Sequence, residues 1–264
     1  MVNTVVFDIG NVLVDFRWQG LFEDLGFTGE KFETIANATV RSQWWNEFDK
    51  GEMEVEEIID KFVERAPEYE KEIRSIFDNM NNLLRGRSYA DEWIRELKGK
   101  GCKIYILSNM SKPAHEVHGK GCMRFLDDVD GAILSYQEKM IKPDRCIYEL
   151  LCERFQIVPE RAVFLDDTLK NIEAAKEFGL HGIHFKTYEQ AKANEGTEGY
   201  RDLIGIYLSK ITEESAYAKH CDLDEGNFYL IEFKNEKSNA AYGIYNAEEN
   251  TFKYYTAEGT ETTK

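Results

Sequence analysis

Apolar residues follow two rhythms along this chain, and the change between them marks its organisation. Short β-branched and aromatic runs bounded by Gly, Asn or Asp recur at Thr4–Phe7, Cys102–Leu107, Ala132–Ser135, Ala162–Leu165 and His181–Phe185. Each is too short for a helix and reads as a buried strand. Helical stretches lie between them. Tyr89–Lys98 stops at Gly99 and Gly101, Asp144 caps a helix through Phe155, and Leu169–Phe178 ends at Gly179. Alternating β and α units of this size imply an α/β, doubly wound, parallel sheet.

Two segments break that alternation. Residues 16–85 read as helical: Val55, Ile58, Ile59, Phe62 and Val63 keep helical spacing, with Pro67 just beyond. Within them, Trp44-Trp45-Asn46 and Phe48-Asp49-Lys50-Gly51 read as a loop-like break between helices. Beyond about Tyr188 the composition shifts again. A polar, glycine-containing linker spans 193–200, a helix is expected near Leu203–Cys221, and strands follow around Phe228–Phe233, Tyr242–Ile244 and Phe252–Tyr254. Ala247-Glu248-Glu249-Asn250 suits a hairpin turn. The expected layout is a core of residues 1–15 and 86–190, a helical insertion over 16–85, and a small helix-plus-β-meander (α+β) extension over 200–264.

Charge and cysteine usage narrow the function classes. The net charge of −16 repels phosphate backbones and anionic lipid, which argues against nucleic-acid and membrane-surface partners. The five cysteines form no C-x-x-C pair, so neither a disulfide framework nor a zinc site is expected. Cys102, Cys146 and Cys152 fall in apolar or helix-like runs and are expected to be buried free thiols. The first strand begins by about Thr4, leaving no room for a signal segment, and no apolar stretch is long enough to cross a bilayer. A reducing cytoplasm is the expected location.

The chemistry gathers at strand ends. Asp8 follows the first strand, Ser108 and Asn109 the second, Lys142 the third after a loop, and Asp166-Asp167 the fourth. In a parallel sheet these ends share one edge. Taken singly, each has an ordinary explanation: a turn aspartate, a helix cap, a surface lysine. Together they form a coherent phosphoryl-transfer set. Asp8 can attack phosphorus as a nucleophile. Lys142 and Mg²⁺ can neutralise the meeting of two anions. Ser108 and Asn109 offer donors to phosphoryl oxygens.

The motifs FDIGN, LSN, IKP and LDDTLKN occur in the order of the haloacid dehalogenase (HAD) superfamily, which the chain resembles over about residues 2–187. The resemblance implies a Rossmann-like core with a helical cap inserted after the first motif. It implies Asp8 as nucleophile and Ser108 as a phosphate ligand. Lys142 would steady both, Asp167 would ligate Mg²⁺, Asp166 would ligate or orient water, and Gly10 would lend its carbonyl oxygen to the metal alongside Asp8.

One position departs from that pattern. The family places a second acid two residues after the nucleophile, where this chain has Gly10, and Asn11 replaces the usual glycine. The missing acid normally protonates the leaving oxygen and later activates water, help worth on the order of 10²–10⁴ in rate. The D-x-G-N-V-x-V-D pattern resembles bacterial HAD phosphatases that include an α-D-glucose-1-phosphate phosphatase, whose anomeric leaving oxygen tolerates the loss. The expected function is Mg²⁺-dependent hydrolysis of a small phosphorylated metabolite, a sugar phosphate such as a hexose 1-phosphate among them. A catalytically silent binding or regulatory scaffold is the alternative. Paired Asp166 and Asp167 argue against dehalogenation, and the absent acid argues against a mutase. Asp15 is read as shaping the turn into the cap, and His115, His118, His181 and His184 as structural or surface groups. Trp44, Trp45 and Phe48 are read as cap core, with substrate contact as the alternative. The extension leaves docking, self-association and partner binding open.

Overall fold

In the computed structural model, the described residues are 3–193, 216–217, 228–233, 242–246, 251–255 and 261–262. The chain divides into two compact units, Thr4–Phe185 and one that includes residues 186–264.

The first unit is built on a five-stranded parallel sheet of β1 (Thr4–Phe7), β4 (Lys103–Ser108), β5 (Gly131–Leu134), β6 (Ala162–Asp166) and β7 (His181–His184). The strand order is β5-β4-β1-β6-β7, so β1 lies at the centre. Its register aligns Phe7 with Ile106 on one side and Leu165 on the other. Each strand run predicted from the apolar pattern is present. Both faces are covered, which is why the runs are continuously apolar rather than alternating. One face packs Val6, Leu107, Ile133 and Phe164 against Ile147, Tyr148 and Leu151 of α9 (Arg145–Phe155). On the other, Phe7 meets Trp93 of α6 (Ala90–Gly99) edge-on at 4.7 Å, and Trp93 reaches Phe185. The fold is therefore α/β with a Rossmann-like parallel sheet.

The chain leaves this sheet through β2 (Val14–Phe16) and returns through β3 (Leu84–Gly86), which pair antiparallel. Asp15, read from the sequence as shaping the turn into the cap, lies instead within β2, where the Arg87 guanidinium just after β3 donates to its Oδ1 at 2.7 Å and braces the neck. Between them lie α1 (Trp18–Asp24), α2 (Gly29–Ala38), α3 (Gln43–Lys50), α4 (Val55–Arg65) and α5 (Glu70–Asp78). Glu54 and Glu57 form a capping box at the start of α4.

The segment read as a loop-like break at Trp44–Lys50 is instead α3. Trp45 and Phe48, three residues apart, bury together against Phe62 of α4, and Phe48 also meets Phe77. That aromatic packing outweighs the polar residues between them. The helix ends at Gly51, whose φ of 68° is left-handed and suits glycine. Cys146 departs from expectation too: it is exposed on α9, while Cys102 and Cys152 are buried.

The second unit contains α11 (Tyr188–Ala193) and a five-stranded antiparallel sheet in the order β12-β11-β10-β9-β8. Its strands are β8 (Ala216–Tyr217), β9 (Phe228–Phe233), β10 (Tyr242–Asn246), β11 (Thr251–Tyr255) and β12 (Glu261–Thr262). The expected meander is present. The helix expected over Leu203–Cys221 is corrected at Ala216–Tyr217, which pairs with Phe233 and Glu232 and so must be extended. The rest of that stretch, the 247–250 turn and Cys221 lie outside the described residues. No helix among the described residues is long and apolar enough to cross a membrane.

Candidate functional site

Asp8 follows β1 and Asp166 closes β6, so the central pair of strands delivers two carboxylates to one sheet edge. Lys142 arrives from the loop before α9 and fills the gap between them. Its Nζ donates to Asp8 Oδ1 and to Asp166 Oδ2, both at 2.7 Å. All three side chains are nearly inaccessible to water. A buried charge survives only when paired and hydrogen-bonded, and Asp166 is the most fully satisfied of them. It also accepts from Asn171 Nδ2 at 3.1 and 3.0 Å and from the Thr168 amide at 2.8 Å.

Asp167 stands beside this cluster. Oxygen atoms of Asp8, Asp166 and Asp167 all lie within 4.8 Å of one another. Three carboxylates against one ammonium leave a formal charge of −2 when all are ionised. Burial raises the pKa of Asp8; Lys142 opposes the rise, while Asp166 and Asp167 add to it. Burial works against the Lys142 ammonium as well, but Asp166 and Asp8 outweigh it and hold the lysine above its ordinary value. An all-oxygen donor set with surplus negative charge fits a hard divalent cation such as Mg²⁺.

Several residues hold this set in place. Asn11, at a φ of 54°, donates from Nδ2 to Asp167 Oδ2 at 2.9 Å and accepts the Phe16 amide at 3.1 Å. Asparagine tolerates that left-handed backbone, so the residue in place of the family's glycine orients an acid. Asn109 and the Lys142 backbone bond reciprocally: Asn109 Nδ2 donates to the Lys142 carbonyl at 3.0 Å, and the Lys142 amide donates to Asn109 Oδ1 at 2.8 Å. Ser108 is buried at the end of β4. His184 bonds the Asp167 carbonyl oxygen, His118 that of Met80 and His181 that of Glu160, while His115 meets the Tyr136 hydroxyl.

A cleft of about 220 Å³ opens over Asp8, Gly10, Asn109, Lys142 and Asp167. Its lining also includes the apolar side chains of Phe16, Trp45, Leu83, Leu84 and Met110. Trp45 therefore serves both the aromatic core and the cleft, whereas Phe48 is wholly core. Asp49 of α3 also lines the cleft. Burial raises its pKa from 3.8 to about 7; Asp8 adds to the rise, and Lys142 and a hydrogen bond from the Ser111 amide resist it.

Asp49 was not singled out from the sequence. The signal that reveals it is helical spacing: Trp45, Phe48 and Asp49 stand at i, i+3 and i+4, placing an acid on a buried face. Reading Trp44–Lys50 as a break hid that face. Asn11 and Asn171, which donate to Asp167 and Asp166, were likewise not assigned those tasks.

A family description, haloacid dehalogenase-like hydrolase, matches residues 2–179. A sesquiterpene phosphatase of Aspergillus oryzae is 30% identical over 180 residues, which cover 68% of this chain and 87% of that protein. A phosphorylated carbohydrates phosphatase of Thermotoga maritima is 30% identical over 135 residues, 50% of this chain and 58% of that protein. Among solved structures, a HAD family enzyme of Bacteroides thetaiotaomicron in complex with magnesium and inorganic phosphate superposes with a TM-score of 0.58 at 22% identity, covering 71% of this chain and 96% of its own. The chain belongs to the haloacid dehalogenase-like hydrolase family.

Proposed function

We propose that this protein is a Mg²⁺-dependent phosphomonoesterase that passes the phosphoryl group through Asp8. The observation that carries the reading is the buried Lys142 held between Asp8 and Asp166, with Asp167 alongside. The relatives named as phosphatases support it.

Each residue takes a distinct part. Asp8 Oδ1 is tied to Lys142, and a Cβ built at Gly10 would find Asp8 Oδ2 at 3.9 Å as its nearest neighbour. Oδ2 is therefore the oxygen placed to attack. Lys142 keeps that carboxylate in position and offsets charge on the incoming phosphate. Asn109 fixes the Lys142 backbone, and Ser108 and the second amide hydrogen of Asn109 serve phosphoryl oxygens. Asp8, Asp167, the Gly10 carbonyl and, directly or through water, Asp166 would hold Mg²⁺. The ion would offset the surplus negative charge and polarise the phosphate. The helices of residues 16–85 act as a cap on the core of residues 1–15 and 86–190, and a cytoplasmic location is retained.

The substrate is a small phosphorylated metabolite. A hexose 1-phosphate suits the D-x-G-N motif, because a hemiacetal oxygen leaves more readily than an alkoxide. The apolar lining of Phe16, Trp45, Leu83, Leu84 and Met110 favours a second reading, an isoprenoid monophosphate, in line with the Aspergillus relative. Phosphate release should be measured with Mg²⁺ on hexose 1-phosphates, isoprenoid monophosphates and an aryl phosphate, with Asp8→Asn beside the wild type. Mg²⁺-dependent release lost in Asp8→Asn is expected. Equal background release from both proteins would overturn the enzyme reading in favour of a silent scaffold.

A further inference from the structure

We propose that Asp49, borne on α3 of the helical insertion, is the general acid and base of this site and performs the work that Gly10 cannot. The proposal rests on the phosphomonoesterase reading above and adds a residue to it.

The assignment follows first by elimination. The titratable side chains that line the cleft among the described residues are Asp8, Asp49, Lys142 and Asp167. Asp8 is the attacking group. Lys142 is locked between two carboxylates. Asp167 is held by Asn11 on the metal side. None of the described histidines lines the cleft, and each is bonded elsewhere. Asp49 remains, and it lines the same cleft as Gly10 and Asp8.

The placement of Asp49 is also built rather than incidental. α3 is clasped to the core by α8 (Ser135–Glu138) and the residue after it. Ser135 Oγ accepts the Met110 amide at 2.8 Å and donates to the Asp49 carbonyl at 2.5 Å. The Lys139 ammonium donates to the Gly51 carbonyl. A Cβ at Gly51 would stand 3.0 Å from Tyr136 Cβ, so glycine lets the helix end approach this closely. The Ser111 amide, in the loop after β4, donates to the Asp49 carboxylate. Backbone and side chain are thus both anchored to the loops that carry the sheet-edge residues.

Burial favours the protonated form of Asp49, the form an acid catalyst needs near neutral pH. The charges facing it are Asp8 and Lys142 from the sheet edge. Lys139 lies on the α8 side, where His115 and Tyr136 engage each other. On its own helix Lys50 pairs with Glu52.

The chemistry balances. Asp8 Oδ2 bonds to phosphorus as the ester P–O bond breaks, and the Asp49 proton passes to the departing oxygen. The Asp49 carboxylate then takes a proton from water as that water's oxygen attacks phosphorus. The bond from phosphorus to Asp8 breaks, inorganic phosphate leaves, and both side chains return to their starting states.

The test compares wild type, Asp49→Asn, Gly10→Asp and the double variant on phosphate esters of graded leaving-group acidity, from p-nitrophenyl to a simple alkyl phosphate. Beryllofluoride binding with Mg²⁺, read by calorimetry, reports site integrity independently of turnover. Asp49→Asn should bind beryllofluoride as wild type does. It should lose roughly 10²–10⁴ in kcat on the alkyl ester and under about tenfold on the nitrophenyl ester. The double variant should recover part of the alkyl activity, since Gly10 has room for a side chain. A loss equal across all leaving groups, or none, overturns the assignment while leaving the phosphomonoesterase reading standing. No Asp8-dependent release from any ester by wild type removes that reading and the assignment with it.

Discussion

The sheet edge and α3 each hold an acid at or beside one cleft, Asp166 behind it and Asp49 in its lining, and they hold it by opposite means. Asp166 is ringed by donors: an ammonium, an asparagine amide and a backbone N–H. Asp49 receives one backbone amide and sits against apolar surroundings and the like charge of Asp8. Donors stabilise the ionised form, whereas burial without them stabilises the neutral one. The proposed roles, a carboxylate charged beside a metal and a carboxyl that trades a proton, call for those two environments. The difference between the regions is therefore chemical as well as structural.

Removing the lysine should break the donor-rich side most severely. Lys142→Ala leaves Asp8 and Asp166 buried without their cation, which should cost ~3–5 kcal/mol of stability. Chemical denaturation reads that loss, and an unchanged midpoint would mean the buried pair is not the electrostatic keystone described above. Asn11→Ala tests how the donors position a ligand rather than whether they balance charge. Asp167 then loses the shorter of its side-chain hydrogen bonds and keeps Thr168 Oγ1 at 3.4 Å. Mg²⁺ affinity should fall roughly 10–100-fold, measurable by calorimetry. A modest drop in melting temperature should accompany it, from the lost Phe16 amide acceptor and the left-handed backbone.

The smallest effect sharpens the other side. The raised pKa of Asp49 means the folded state holds its proton more tightly than the unfolded chain does. Its contribution is fully present below about pH 3.8 and is lost as pH rises through about 7. Asn cannot ionise, so Asp49→Asn should melt close to wild type near pH 4. Because Asp49 is only half-buried, the variant should melt ~4–8 °C higher than wild type near pH 8. Thermal scans at the two pH values test this; a gap that is constant with pH would show that Asp49 is not the titrating group. A stabilised but slower enzyme at pH 8 is the trade expected of a functional, half-buried acid.

The strand-end residues were legible because their logic is local. Thr4–Phe7 and Ala162–Leu165 are apolar on both faces, each stops at an acid, and parallel pairing brings those ends to one edge. Lys142 and Ser108 follow by the same reasoning, and the motif order made the family visible. The tasks of Asn109 and Asn11 were not legible. Each bonds to a partner brought close only by folding: 33 positions away for Asn109 and 156 for Asn11. Short polar residues after a strand look alike whether they bind a ligand, cap a helix or hold a neighbour.

By itself, then, the sequence determined the α/β core, the edge on which Asp8, Ser108, Lys142 and Asp167 meet, and the vacancy at Gly10. Only the tertiary structure decided which acid lines the same cleft. Asp49 lies in a stretch whose polar residues disguise a helix, and its helical conformation is selected by Trp45 and Phe48 packing on Phe62. Its approach to Asp8 depends on the clasp from Ser135 and Lys139. Periodicity predicts which residues share a face of one element. It contains no information on which faces of two distant elements are pressed together, because that is settled by packing over the whole unit.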